Sequence, residues 1–258
     1  MEDKKTSLIY KILRFFVWLF SPRYEIVGKE NIPGKNAVIV GNHCQIYGPI
    51  AGELDFPGKH YIWCAGSMMR WSDVHAYAFE DFWSFKPKWQ HWFFKIASYL
   101  ITPISVCVFN NAHTIPVDHD TRILTTFRSS IDRLKEGNNI IIFPEHNKKR
   151  NNIVYDFQDK FIDLARFYYR KTGEALEFVP MYLAPRIKKM IIGEAIRFDP
   201  DAPIDEERER IANYLMDSIT ALATELPLHT VIPYRNIRKR DYPKNKPLEV
   251  YSNETSTV

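Results

Sequence analysis

The chain has 258 residues, of which 45% are hydrophobic and 26% charged, with a formal net charge of +4. That length and apolar content supply one sizeable core and argue against disorder, while basic residues that never gather into a long run with interleaved aromatics argue against a nucleic-acid partner. Three cysteines, Cys44, Cys64 and Cys107, with no CxxC pair and no HExxH motif, suit a reducing compartment and give no support for a metal site.

Residues 6–20 predict a helix in which Lys4, Ser7, Lys11 and Arg14 form a narrow polar stripe. Leu8, Ile9, Ile12, Phe15, Phe16 and Leu19 fill much of the rest, with Trp18 as an interfacial anchor. So wide an apolar arc suits a membrane interface, and five basic against two acidic residues through Arg23 favour anionic lipid. The alternative is a helix docked on the core. Stretches 8–20 and 96–109 are the most apolar, and both fall short of the ~20 residues of a span. The first 22 residues also lack the pattern of a cleaved leader.

Pro33-Gly34 marks a turn, and Ala37–Gly41 reads as a short buried strand. Pro49 suits the first turn of a helix with Gly48 at its N-cap. A strand at His60–Ala65, aromatic helix over 73–104 broken near Pro87, and a strand at Thr114–Val117 follow. A helix capped by Asp120 then runs to Gly137, ahead of a buried strand at Asn139–Phe143. Further on, a helix is expected from about Asp156 to Gly173, strands at Phe178–Leu183 and Lys189–Phe198, and a helix over Asp205–Leu226. From Arg235 the sequence is polar and basic, either a solvated tail, its default reading, or a second contact to anionic lipid.

Strands alternating with helices predict an α/β fold with a largely parallel sheet flanked by helices. The expected organisation is an interfacial helix at 1–22, one domain at 23–234 and a polar basic tail at 235–258. In such sheets ligands bind beyond the carboxyl ends of the strands. His43, Asp118 and Glu145 each lie one to three residues past such an end.

Four blocks then carry a resemblance. Asn42-His43 follows an apolar strand; Thr114-Ile115-Pro116-Val117-Asp118-His119, Phe143-Pro144-Glu145 and Phe178-Val179-Pro180-Met181-Tyr182 come after it in order. Together they resemble the signature of the glycerolipid (lysophosphatidic acid and glycerol-phosphate) acyltransferases from about residue 24 to 226. The resemblance implies the glycerolphosphate-acyltransferase-like fold and transfer of a fatty acyl group from acyl-CoA or acyl carrier protein to a lysophospholipid-type hydroxyl, in phospholipid synthesis. It also implies peripheral or monotopic attachment at the cytoplasmic face of a membrane, and no cofactor or metal, since the thioester brings the activation. His43 takes the place of the family's general base, Glu145 keeps the third-block carboxylate, and Lys148 falls where a phosphate-binding arginine stands. His119, Asn147, Tyr47 and Asp118 complete the expected substrate contacts.

The chain departs from that pattern. The family's histidine is followed five positions later by an aspartate that orients it; here that position is Gly48. An N-cap glycine differs from aspartate by only a few tenths of a kcal/mol, so the fold is expected to tolerate either. The chemistry is more exposed, because removing a triad carboxylate in serine proteases costs ~10⁴ in turnover. Asp118, Glu145 and Glu53 are the candidate replacements, and Cys44 reads as a small buried residue rather than a nucleophile. Rival readings are a lipid- or acyl-binding relative without the reaction, or transfer to an unphosphorylated alcohol or an amine, since His119 and the His146-Asn147-Lys148 turn replace both family arginines.

Overall fold

Three short runs of β-branched and apolar residues, too short for buried helices, form the centre of the sheet: β2 (Val38–Gly41), β5 (Asn139–Ile142) and β8 (Glu177–Ala184). The computed structural model describes residues 7–34, 36–118 and 122–246. His119 and Asp120 lie outside the described residues. The fold is mixed α/β, with a mostly parallel central sheet and flanking helices. Two compact units compose it: Met1–Ser21 with Tyr61–Ser129, and Pro22–His60 with Ser130–Val258.

In the second unit the strand order is β1 (Glu25–Val27), β9 (Lys189–Ile192), β8, β2, β5. β2 pairs in parallel with both β5 and β8, setting Val40 opposite Ile142 and Gly41 opposite Met181. The carboxyl ends of all three strands therefore share one edge. β9 turns back antiparallel on β8, and the expected single strand over 189–198 breaks at Gly193, with β10 (Ile196–Arg197) pairing elsewhere on β8. A Cβ at Gly193 would stand 2.9 Å from the Pro180 ring, which explains the glycine at the break. Helix α7 (Ile204–Glu225) buries Ile211, Leu215, Ile219 and Ala223 at helical spacing, and opens with Asp205, Glu206 and Glu207 at the positive end of its dipole.

Two expectations fail beside β5. Glu145–Lys149 is a strand, β6, hairpinned onto β7 (Tyr155–Phe157). The helix expected from Asp156 therefore starts later, as α6 (Asp163–Thr172). β6 is polar and exposed from Asn147 on, and β7 is only three residues long, so neither carries an apolar alternation long enough to read as a strand.

The basic stretch after Arg235 is ordered to Lys246 by packing that the sequence hides. Val231 N–H donates to the Pro243 carbonyl, 2.9 Å, and buried Asn245 donates to the carbonyls of Ala223, Leu226 and Pro227 at the end of α7. A distant side chain thus satisfies carbonyls that a helix end leaves open.

The first unit carries α1 (Leu8–Phe20), the parallel pair β3 (His60–Ala65) and β4 (Thr114–Val117), and a helical pair, α3 (Trp71–Trp83) and α4 (His91–Asn111). α4 extends past the expected end at 104 to Asn111, with Pro103 inside it on the exposed side. With the preceding turn, Lys88–Asn111 runs 24 residues and its most apolar 18-residue stretch has a mean hydropathy of 1.6, long and apolar enough to cross a membrane by length and composition, where the sequence reading counted only 96–109. α1 buries only Tyr10 and leaves Leu8, Ile9, Phe15, Leu19 and Phe20 more than half exposed. Each such side chain forgoes part of the roughly 1.5–3 kcal/mol that full burial would provide.

Candidate active site

β2 ends at Gly41, and the next residues fasten the chain to its neighbours. Buried Asn42 uses its side-chain amide as an extra rung on β8. It accepts from Leu183 N–H at 2.7 Å and donates to the Leu183 carbonyl at 3.1 Å. His43 N–H donates to Glu145 Oε2 at 2.9 Å, and Glu145 Oε1 accepts from Tyr155 N–H at 3.0 Å. One buried carboxylate thus ties the end of β2 to the β6–β7 hairpin through main-chain amides. Burial pushes its pKa up to about 7, against the downward pull of the Tyr155 and His43 amides.

After His43 the backbone takes an unusual path. Cys44 and Gln45, neither of them glycine, adopt left-handed φ of 50° and 56°. The tight turn lets Tyr47 and Gly48 donate to the carbonyls of Cys44 and His43, and α2 (Tyr47–Asp55) begins with Ile46 at its N-cap. Gly48 is therefore inside the first helical turn rather than at the cap. A Cβ there would overlap the His43 carbonyl oxygen and stand 3.1 Å from Phe143 Cε1. The expectation that this position tolerates a side chain is corrected: the loop closes onto Gly48 so tightly that an aspartate has no place.

The His43 ring is walled by aromatics. Phe143 and Tyr234 each meet it edge-on with centroids 5.5 Å away, and Tyr155 supports Tyr234 at 5.8 Å. His43 Nδ1 is buried with no hydrogen-bond partner among the described residues, while the residue as a whole keeps some surface. Neither Glu145 nor Glu53 therefore orients the ring in the family's manner. Burial drives the imidazole pKa down to about 4, opposed more weakly by backbone groups of Gln45 and His43. The ring is neutral at pH 7.

Replacing Tyr234 by alanine opens one wall to water. The His43 pKa then climbs from about 4 part of the way to its ordinary 6.5, a shift read by NMR titration of the ring protons against a His43→Ala control. A pKa unmoved by the change would show that the wall does not desolvate the ring.

No family model matches the chain, and no curated protein matches it. Among solved structures it is similar to the 1-acyl-sn-glycerophosphate (LPA) acyltransferase PlsC from Thermotoga maritima, with a TM-score of 0.48 and 17% identity. The match covers 83% of this chain and 79% of that one.

The remaining expected residues are spread out. Tyr47 opens α2, half-buried. Asn147 is exposed on β6, and Lys148, 79% exposed, pairs with Asp156 at 3.1 Å. Lys149 donates to Asn152 and Arg150 to Asn213 and Asp217, so the basic run is engaged by neighbouring acceptors. Asp118, in the first unit, is held by the Arg70 guanidinium through 2.8 and 3.2 Å bonds, with Arg122 at 3.7 Å. Cys44 is locked in the core: its Sγ accepts from the Asn42 amide and donates to the Leu183 carbonyl, and burial raises its thiol pKa well above normal. That chemistry suits packing and not nucleophilic attack.

Three features of the site escape sequence reading. The Tyr234 wall lies nearly two hundred residues from His43. The Gln45 side chain donates to Tyr242 Oη at 3.0 Å and to the Arg235 carbonyl at 3.3 Å, strapping the C-terminal segment over the loop. Phe143, by contrast, stands in the Phe143-Pro144-Glu145 block, where the sequence draws attention to the glutamate alone.

Proposed function

We propose that the chain is an acyltransferase that moves a fatty acyl group from an acyl-CoA or acyl-carrier-protein thioester to a lysophospholipid-type hydroxyl, at the cytoplasmic face of a membrane. The carrying observation is His43. It is a neutral imidazole at the shared edge of three parallel strands, anchored by its own amide to Glu145 and buried on its Nδ1 side. Four blocks in family order support the same reading. In it the acceptor hydroxyl gives its proton to His43 Nε2 as its oxygen attacks the thioester carbon. The tetrahedral intermediate collapses, the C–S bond breaks, and the imidazolium returns the proton to the leaving thiolate. The products are an ester and a free thiol. α1 supplies the membrane contact, with its apolar side turned outward.

Glu145 acts here through the main chain: it holds the His43 amide and so fixes where the ring stands. A general base of this kind contributes about 10²–10⁴ in rate. Incubation with labelled acyl donors and a panel of lysophospholipid, plain alcohol and amine acceptors should give transfer that falls by that factor in His43→Ala. Unchanged transfer in that variant would remove His43 from the role.

A second reading has its own observation. Gly48 leaves no room for the family aspartate, and no described group takes its place on Nδ1. A binding protein that has lost the reaction fits that gap, and absence of transfer with every donor and acceptor would favour it. Should alcohols or amines accept and lysophospholipids not, the engagement of Lys148 by Asp156 and Arg150 by Asp217 gives the reason: a phosphate would have to displace carboxylates.

A further inference from the structure

Both outward-facing apolar helices belong to the first unit. In α4, Trp92, Phe93, Ile96, Leu100 and Ile104 recur at helical spacing on one side, and all are about half exposed or more. The opposite side buries Ser98, Thr102 and Ser105. This polarity is inverted relative to a helix on a water-soluble surface, which turns its apolar stripe inward. α1 packs on α4, with Ser7 N–H donating to Asn111 Oδ1 at 3.0 Å, and it too points its apolar face outward.

The inverted helix is fixed along its length to the rest of the unit. Trp83 stacks on Phe94 at 5.5 Å, and His75 stacks on Tyr99 at 4.5 Å. Ser105 donates to the Met68 carbonyl at 3.0 Å and Asn110 to that of Met69 at 2.9 Å. A helix crossing a bilayer needs apolar groups all round and ends on opposite sides. α4 has a polar side spent on protein, and both ends are tied to one unit. Its length and hydropathy therefore serve insertion along a surface.

Charge selects the occupant. Over residues 7–21 and 82–117 there are five cations, Lys11, Arg14, Lys86, Lys88 and Lys95, and no acidic residue. Exposed Trp89 and Trp92 lie with the lysines at the amino end of the helix, as amphipathic rings do at headgroup level. We propose that α1 and α4 form one two-helix platform that sinks into a single leaflet of an anionic phospholipid bilayer, with α4 as a membrane-embedded element in its own right. This extends the membrane contact proposed above for α1 alone.

The test uses the full chain and vesicles of phosphatidylcholine, with and without a third of phosphatidylglycerol. Ile96→Asp/Leu100→Asp should weaken flotation on anionic vesicles by about tenfold or more, comparably to Phe15→Asp/Phe16→Asp. Lys88→Gln/Lys95→Gln should weaken it by about fivefold per lysine on anionic vesicles and leave neutral ones unaffected. Loss with the α1 pair alone would overturn the α4 proposal and leave the α1 contact standing; loss with neither pair would overturn both. A lipid-free dimer broken by the α4 pair, with flotation intact, would assign the face to a second copy and also overturn the proposal. Because aspartates on a helix can impair folding, the unaltered side chain gives an independent reading. Brominated-lipid quenching should fall in Trp92→Phe, and an equal signal without Trp92 would contradict its insertion.

Discussion

Gly48→Ala is expected to destabilise the protein by about 1–3 kcal/mol, and Gly48→Asp by more, with no gain in transfer from restoring the family's acid. Propensity alone predicts the reverse, since alanine exceeds glycine inside a helix by roughly 0.8–1.0 kcal/mol. Sterics decides it. The added carbon overlaps the carbonyl of His43 and crowds Phe143, and a carbonyl inside a tight turn cannot swing aside as a flexible side chain would. That carbonyl also accepts from Gly48 N–H at 3.1 Å, so moving it breaks the bond that closes the loop. Urea unfolding of the alanine and aspartate variants checks the sign; a raised midpoint for either would refute the fit described here.

Glu145→Ala should cost about 2–6 kcal/mol, because it orphans the part-buried amide of His43 and the buried amide of Tyr155 at about 1–3 kcal/mol each. Glu145→Gln keeps one acceptor and turns a donor toward the other amide, so it should cost less than alanine. The pH dependence is more telling. The folded pKa of Glu145, about 7, lies above its ordinary 4.5, so the folded state holds the extra proton. Its contribution to stability is complete below 4.5 and is lost as pH rises through 7. His43 runs the other way: its folded pKa of about 4 lies below 6.5, so its penalty is complete below 4 and gone above 6.5. Each shift is worth roughly 3 kcal/mol, and in wild type the two slopes nearly cancel between pH 4.5 and 6.5. Removing one partner exposes the other. Relative to wild type, His43→Ala should lose stability with rising pH in that window, and Glu145→Gln should gain it. Urea midpoints at half-unit pH steps read both, and parallel curves for the three proteins would contradict the assigned burial.

Much of this was legible in the chain because apolar runs announce buried strands. Val38–Val40, Ile140–Ile142 and Phe178–Leu183 are found where they were expected, and they bring Asn42, His43 and Glu145 to one edge. The β6–β7 hairpin was hidden because Glu145–Lys149 has the composition of a loop. Gly48 was misplaced by two positions because the path into α2 depends on left-handed Cys44 and Gln45, which no glycine signals. The aromatic wall was out of reach for a different reason: the contact between His43 and Tyr234 is made by the fold and has no local pattern. The missing aspartate was visible in the sequence, but its physical meaning was not. It reads there as a deleted side chain, and in the structure it is a backbone drawn in until none fits.

In the proposed reaction His43 is a base held by packing and by its own main chain, without a carboxylate on the ring. The pH dependence of kcat/KM for acyl transfer tests that most directly, since it reports the pKa of the essential base in the free enzyme. The acid limb should fall near pH 4, where burial places His43, leaving the rate flat through pH 5 to 7. An acid limb at 6.5 or above would mean a solvated or carboxylate-paired imidazole, and would contradict the account.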